Sequence, residues 1–313
     1  MVELIRGLHN LRPPHRGGVA SIGNYDGVHL GHQSVIEQLA EQRVEHNLPS
    51  AIITFEPQPQ EYFAPNDAPS RLMSLRDKVE TLSFYGVDRV LCLRFDRKLA
   101  ELAPESFIQK ILVDGLVIKS LVVGDDFRFG KDRRGDFSML QQAGRRHRFD
   151  VIHTRTFDLD GMRVSSTRVR GALETGELDL VERLLGRRFH ISGRVVRGDR
   201  RGRQWGFPTA NVYLQRLHPP LIGVFAVEVY GLAPRSQPGA AYVGSRPTIA
   251  GTHPLLEVHL FDFHRDIYGK HIRVEFVSKI RGDQNFASVD ALREQITRDV
   301  AVAKTLVAGE RVN

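Results

Sequence analysis

The chain predicts an α/β protein in two parts: a doubly wound parallel sheet, then an antiparallel barrel or sandwich closed by a C-terminal helix. At 313 residues it is longer than one core usually fills, so two domains are expected. From Val19 to about Phe157, short continuously apolar runs alternate with helical patterns, as expected where helices cover both faces of a parallel sheet. After about Leu185 the period becomes 2 with Gly and Pro turns, which implies one buried face and favours closure that removes open edges.

In chain order, VASIG at 19–23 reads as a strand and HQSVIEQLAEQRVEHN at 32–47 as a helix. AIITF at 51–55 is the next strand, LRDKVETLSFYG at 75–86 a helix, and DRVLCLRF at 88–95 a strand. ESFIQKILVDGL at 105–116, IKSLVVG at 118–124, DFSMLQQAGRRHRF at 136–149 and DVIHTRTF at 150–157 continue the alternation. ERLLG, ending at Gly186, bridges to the second part, which sets domains of 1–185 and 186–313. There GRVVRGD, GVFAVEVYG, LLEVHLFDF and HIRVEFVSKI alternate as half-buried strands, and SVDALREQITRDVAVAKTLV closes the chain as a helix.

The composition, 41% hydrophobic and 26% charged, is that of a folded globular protein rather than a disordered one. One cysteine, Cys92, within the apolar run VLCLRF, rules out an internal disulfide and fits a reducing cytoplasm. The N-terminus lacks a signal-like apolar core, and no stretch is long and apolar enough to span a membrane. The net charge of +7 suits nucleic acid or small polyphosphates alike. The basic pairs Arg133-Arg134, Arg145-Arg146 and Arg200-Arg201 lack interleaved aromatics, which points to phosphates or solvent and away from a nucleic-acid track.

GNYDGVHLGH, residues 23–32, stands where the first strand of the sheet turns into the first helix, the place where doubly wound sheets bind ligands. Gly23, Gly27 and Gly31 permit tight turns and close approach, and a helix N-terminus offers unpaired N–H groups to an anion. His29 and His32 share one face of that helix start and can donate to one polyphosphate; the bland alternative is that they cap or pack. A zinc site is disfavoured because no third ligand follows at matching spacing. RVSSTRVRGAL at 163–173 supplies Ser165, Ser166, Thr167, Arg168 and Arg170, alone a helix cap, together with the histidines a second set of anion donors.

HxGH followed later by SSTxxR resembles the nucleotidyltransferase superfamily, whose members attack the α-phosphorus of ATP. IGNYDGVHLGHQ, TFEPQPQEYF at 54–63, VGDDFRFGKDRRGDF at 123–137 and SSTRVR, in that order, resemble the FMN adenylyltransferase module of the bacterial bifunctional riboflavin kinase/FAD synthetase family. The resemblance implies that Asn24, His29, His32, Ser165, Ser166, Thr167 and Arg170 hold nucleotide phosphates, with Gly23, Gly27 and Gly31 in the phosphate loop. It further implies that Gly124, Asp126 and Phe129 shape the nucleotide and flavin cleft, and that Phe55, Pro57 and Pro59 form an apolar edge for the flavin ring. Tyr25 stands where the family often has Phe.

GRVVRGDRRGRQWGFPTANV, residues 193–212, is glycine-rich and basic but is not a Walker loop. Its GFPTAN resembles the riboflavin kinase signature. The resemblance implies nucleotide contacts at Gly198, Gly202, Gly206 and Pro208, and magnesium ligation by the side-chain oxygens of Thr209 and Asn211. In LLEVHLFDF, alternation turns Leu256, Val258 and Leu260 to one face and Glu257, His259 and Phe261 to the other. Glu257 matches the family's catalytic glutamate, the base for the ribityl hydroxyl. GVFAVEV, VGSRPTIAG, DIYG and KIRGDQNF extend the likeness over nearly the whole chain; Tyr242, where relatives commonly have Asn, and Phe225, for a frequent Tyr, depart from it.

The implied fold is a nucleotidyltransferase domain followed by a small antiparallel β-barrel with a C-terminal helix. The implied enzyme is cytoplasmic, uses ATP and Mg²⁺, and has riboflavin, FMN and FAD as substrates and products, with no nucleic-acid or membrane partner. The rivals are an adenylyltransferase for another phosphorylated acceptor, against which PTAN and Glu257 argue, and a basic nucleic-acid-binding protein, which would bind with steep salt dependence and turn over no ATP.

Overall fold

The computed structural model describes residues 2–124, 126–198, 206–214, 218–248 and 251–310. The chain divides into two units, one formed by residues 1–69 and 75–165, the other by 70–74 and 166–313. Gly202 and the pair Arg200-Arg201 lie outside the described residues, while Arg133, Arg134, Arg145 and Arg146 are exposed.

The first unit is built on six parallel strands: β1 (Glu3–Arg6), β2 (Gly18–Ile22), β3 (Ser50–Glu56), β4 (Arg89–Arg94), β5 (Ile118–Val123) and β6 (Asp150–His153). Their spatial order is β1-β4-β3-β2-β5-β6. The chain therefore runs outward from β2 through β3 in one direction and through β5 in the other, which opens a crevice beyond the carboxyl ends of β2 and β5. Helix α1 (Leu30–His46) covers one face, where Ser120 Oγ donates to Gln42 Oε1 at 2.9 Å. The short helices α2 (Pro59–Phe63), α4 (Arg97–Ala100) and α5 (Pro104–Phe107) and the longer α3 (Leu75–Phe84) follow strands β3 and β4.

The other face carries an apolar cluster in which Ile53, Leu91 and Leu121 meet Phe107, Ile111 and Leu112. Each such side chain, taken wholly out of water, contributes about 1.5–3 kcal/mol. The segment Ile108–Leu116, expected as an ordinary helix, is wound as a π-helix. Helix α6 (Phe137–His147) precedes β6, and a hairpin of β7 (Asp158–Leu159) and β8 (Met162–Arg163) ends the unit.

The second unit begins with α7 (Ser166–Thr175) and α8 (Leu178–Leu185). Six antiparallel strands follow: β9 (His190–Arg194), β10 (Ala210–Tyr213), β11 (Gly223–Tyr230), β12 (Gln237–Thr248), β13 (Gly251–Leu260) and β14 (His271–Arg281). Their order, β10-β13-β12-β11-β14-β9, leaves β9 and β10 at the two ends, yet these ends meet. Val196 N–H donates to the Asn211 carbonyl at 2.8 Å, and Gly193 lies against Val212, so the sheet curls into a nearly closed barrel. Its interior is apolar, with Phe225, Val227, Val258 and Val274 all buried. Helix α9 (Val289–Glu310) lies on the outside, where Ala303 and Val307 pack on Ala226, Ala240 and Phe261.

Candidate active sites

In the first unit the loop after β2 is held in an unusual shape. Tyr25 and Val28 have φ of 47° and 41°, and for a β-branched valine that is a strained conformation costing on the order of 1–3 kcal/mol. Burial of Tyr25, whose hydroxyl donates to Ser21 Oγ at 2.6 Å, fixes the loop from below. That burial pushes the phenol pKa well above its ordinary value, so it stays a donor. Thr54 Oγ1 on the neighbouring β3 donates to the Asn24 carbonyl at 3.4 Å.

His29 caps α1: its Nδ1 accepts the His32 N–H at 3.3 Å, which leaves the proton of the neutral ring on Nε2. The two imidazoles stack, with centroids 3.7 Å apart and planes 18° apart, and His32 lies 4.9 Å from the Tyr25 ring. Gly31 permits a close approach here: a Cβ would stand 3.1 Å from the Val164 carbonyl and 3.2 Å from the His29 ring, so one of them would have to shift by a few tenths of an ångström. The same contact brings the segment leading to Ser165 against the HxGH turn. Gly27 takes φ 87°, and a Cβ on Gly23 would meet the Tyr25 ring at 3.2 Å.

Across the crevice, at the end of β5, a Cβ on Gly124 would stand 2.6 Å from Asp126 Oδ1. Asp126 pairs with Arg163 of β8 at 2.9 Å. Ser166, Thr167 and Arg170 belong to the second unit, where Arg170 Nε donates to the Ser70 carbonyl at 2.6 Å. Phe55 and Phe129, expected near the flavin, are packed in the apolar core at 6% and 5% exposure. Pro57 follows a cis bond from Glu56, and Pro59 opens α2. Sequence reasoning missed the exposed aromatic group that α2 carries: Phe63, 66% exposed, packs edge-on with Tyr62 and Phe95, which in turn contacts Phe55. The signal was present as the adjacent pair Tyr62-Phe63 just after the FEPQP stretch, whereas Phe95 lies far along the sequence.

In the second unit Glu257 sits on β13, an inner strand paired on both sides. It stands opposite Asn211 of β10 and Tyr242 of β12, and side chains directly opposite share a face. Leu256 and Val258 are buried in the barrel, while Glu257 and His259 look outward into a cavity of about 610 Å³. Thr209 and Phe207 line one side of it; Arg281, Asp283, Phe286, Leu292 and Val300, from the β14–α9 loop and α9, line the other.

His259 Nδ1 and the Pro208 carbonyl are 3.0 Å apart, which ties the GFPTAN turn to the strand of Glu257. Burial pushes the His259 pKa below its ordinary value, so the ring is neutral at pH 7 and Nδ1–H is the donor. Asn211 is buried; its Nδ2 donates to the Thr209 carbonyl at 3.3 Å, which presents Oδ1 as the acceptor. A Cβ on Gly198 would come within 2.6 Å of that amide, so the backbone at Gly198 lies directly on it. Gly206 turns with φ 87° ahead of the PTAN residues. Among the described residues no group of three His, Cys, Asp or Glu could cage a metal. The donors at hand are hydroxyl, amide and single carboxylate oxygens, a set suited to a hard ion that keeps phosphate and water ligands.

Comparison with known proteins decides the family. The FAD synthetase family matches residues 11–168 and the riboflavin kinase family residues 185–307. A bifunctional riboflavin kinase/FMN adenylyltransferase of Pseudomonas fluorescens is 52% identical over 98% of both chains. The chain belongs to the bifunctional riboflavin kinase/FMN adenylyltransferase family. The family proteins of Escherichia coli K12, 52% identical over 97% of each chain, and of Haemophilus influenzae, 49% identical over 97% of this chain and 98% of that one, agree. A crystal structure described as a macrolide-efflux protein from Streptococcus pneumoniae superposes with a TM-score of 0.81 at 29% identity, covering 97% of this chain and 99% of that one. Among the described residues, no helix of this family member is long and apolar enough to cross a membrane.

Proposed function

We infer that the chain phosphorylates riboflavin to FMN with one ATP and adenylylates FMN to FAD with another, releasing pyrophosphate. The observation that carries the reading is the joint lining of one cavity by Glu257 of β13 and Thr209, which immediately precedes β10, residues from distant stretches of the chain that the family likeness assigns to one reaction. The kinase module is taken as 186–313 and the adenylyltransferase module as 1–185.

In the kinase cavity the flavin ring is proposed to lie on the apolar side, against Phe286, Leu292 and Val300, with the ribityl hydroxyl toward Glu257. Glu257 accepts the hydroxyl proton as the oxygen attacks the γ-phosphorus and ADP leaves. Thr209 and the Asn211 Oδ1 would hold Mg²⁺, which when bound neutralises phosphate charge. Gly198, Gly202, Gly206 and Pro208 are assigned to the surrounding nucleotide-binding turns.

In adenylylation the FMN phosphate is already an anion, so no base is needed and the protein positions reactants and neutralises the leaving group. His29 Nε2–H, His32 and Ser165 are proposed to donate to the phosphates; for Ser166, Thr167 and Arg170 of α7 the phosphate-binding role rests on the family likeness alone. Asn24, Gly23, Gly27 and Gly31 shape the loop beneath them, and Gly124 and Asp126 the opposite lip. For the flavin of FMN, Phe63 offers the more accessible ring, with Pro57 and Pro59 beside it and Phe55 and Phe129 as support from the core. A reducing cytoplasmic setting, supported by the single buried Cys92, completes the reading.

Purified protein given riboflavin, Mg²⁺ and ATP should accumulate first FMN and then FAD by chromatography. Failure to form FMN removes the kinase assignment, and failure to form FAD from supplied FMN removes the adenylyltransferase assignment.

A further inference from the structure

The cavity beside Glu257 has one wall that belongs to no strand. Residues 283–288, between β14 and α9, line it, and all of them except Phe286 are exposed. An exposed loop holds a fixed wall only if it is tied down, because ordering its backbone costs conformational entropy.

The first tie is at its root. Arg281 forms a two-pronged pair with the buried carboxylate of Asp299 on α9, at 3.0 Å from Nε and 2.9 Å from Nη2, and its guanidinium lies 5.5 Å from the centre of the Phe286 ring. At the far end Ser288 Oγ accepts the Ala291 N–H at 3.1 Å and caps α9. Both ties join the loop to β14 or α9, the elements it already connects. Neither sets its distance from the strand that carries Glu257.

Tyr242 does. It stands directly opposite Glu257 in the β12–β13 pairing, its side chain lines the cavity, and its hydroxyl donates to Asp283 Oδ1 at 3.2 Å. The same Asp283 oxygen accepts the Gln284 N–H at 3.0 Å, which fixes the carboxylate relative to the loop backbone. A tyrosine at this place spans from the barrel wall to the loop; a side chain as short as asparagine has less reach.

We propose that Tyr242 is a positioning residue of the kinase site, whose hydrogen bond to Asp283 holds the β14–α9 loop across the cavity and so sets affinity for the flavin substrate. The inference rests on the reading of this cavity as the riboflavin kinase site. The tie holds the wall in free enzyme and transition state alike, so losing it weakens binding of the ring and leaves the transfer step nearly untouched.

The test is a double-mutant cycle on the full-length protein with Tyr242→Phe, Asp283→Ala and the pair together. Each single change should raise the KM for riboflavin roughly three- to tenfold, the range commanded by one partly exposed hydrogen bond, with kcat within about twofold. The double variant should be no worse than the worse single one, since both remove the same bond. FAD formation from supplied FMN serves as the internal check of folding and should match the unmodified protein. An unchanged KM in Tyr242→Phe, additive effects in the pair, or a fall in kcat without a rise in KM overturns the proposal. Failure of the unmodified protein to phosphorylate riboflavin would instead overturn the site reading beneath it.

Discussion

At His29 a helix cap and a proposed phosphate donor share one ring. Substitution by alanine would remove both, so His29→Asn is the informative change, because asparagine caps helices well and lacks the Nε2 donor. FAD formation should then fall by about 10²–10³ in kcat, the cost of removing one preorganised donor from developing charge, with little change in melting temperature. Pyrophosphate release and calorimetry check the two halves of that statement. His259 gives a pH prediction. Its folded pKa is lowered, so the unfolded chain binds a proton first as pH falls past about 6.5, and the stability this residue contributes above that pH is lost on acidification. Urea midpoints at pH 7.5 and 5.5 should differ more in the unmodified protein than in His259→Gln. Residue identities at both places were legible because HxGH, PTAN and the strand of Glu257 are local patterns. The burial of Phe55 and Phe129 was not, since an aromatic residue in a motif reads the same whether it faces a ligand or the core.

At the scale of elements, glycines mark where one segment leans on another. Gly31→Ala pushes a methyl group to within 3.1 Å of the Val164 carbonyl, so the turn and the chain leading to Ser165 must part. FAD formation should drop at least tenfold while FMN formation stays unchanged, which assays of each reaction will show. The long apolar strands and the amphipathic helices of the first unit were readable from period alone. Strand β1 was not: ELIR is too short to show a period, and it pairs with β4 at the edge of the sheet. Helix α2 was hidden by the nearby Pro57 and by Pro59, a turn-like pair of which Pro59 here opens the helix as its first residue. Strand β12, rich in Gly and Pro, is a strand because β11 and β13 pair with it on both sides, a tertiary cause that no local preference records.

For the whole molecule, two chemistries on separate elements should be separable by mutation. Glu257→Gln keeps the shape of the side chain and removes the base; FMN formation should fall by about 10²–10⁴, and FAD formation from supplied FMN should persist at the original rate. Loss of both activities would contradict independent sites, and a time course by chromatography distinguishes the outcomes. The change of hydrophobic period along the sequence announced this division into sheet and barrel. The compact units, however, part between Ser165 and Ser166, and no period marks that point, because α7 has an amphipathic pattern as ordinary as its neighbours. Among the described residues, the backbone bond between Val196 and Asn211 joins the two ends of the barrel, beside the contact of Gly193 with Val212. The stave that completes the cylinder is thus also the one that carries Asn211, the side-chain amide proposed as a ligand for Mg²⁺. Whatever loosens this joint, whether heat, denaturant or a proline at 196, should silence phosphate transfer well before the remaining staves come apart.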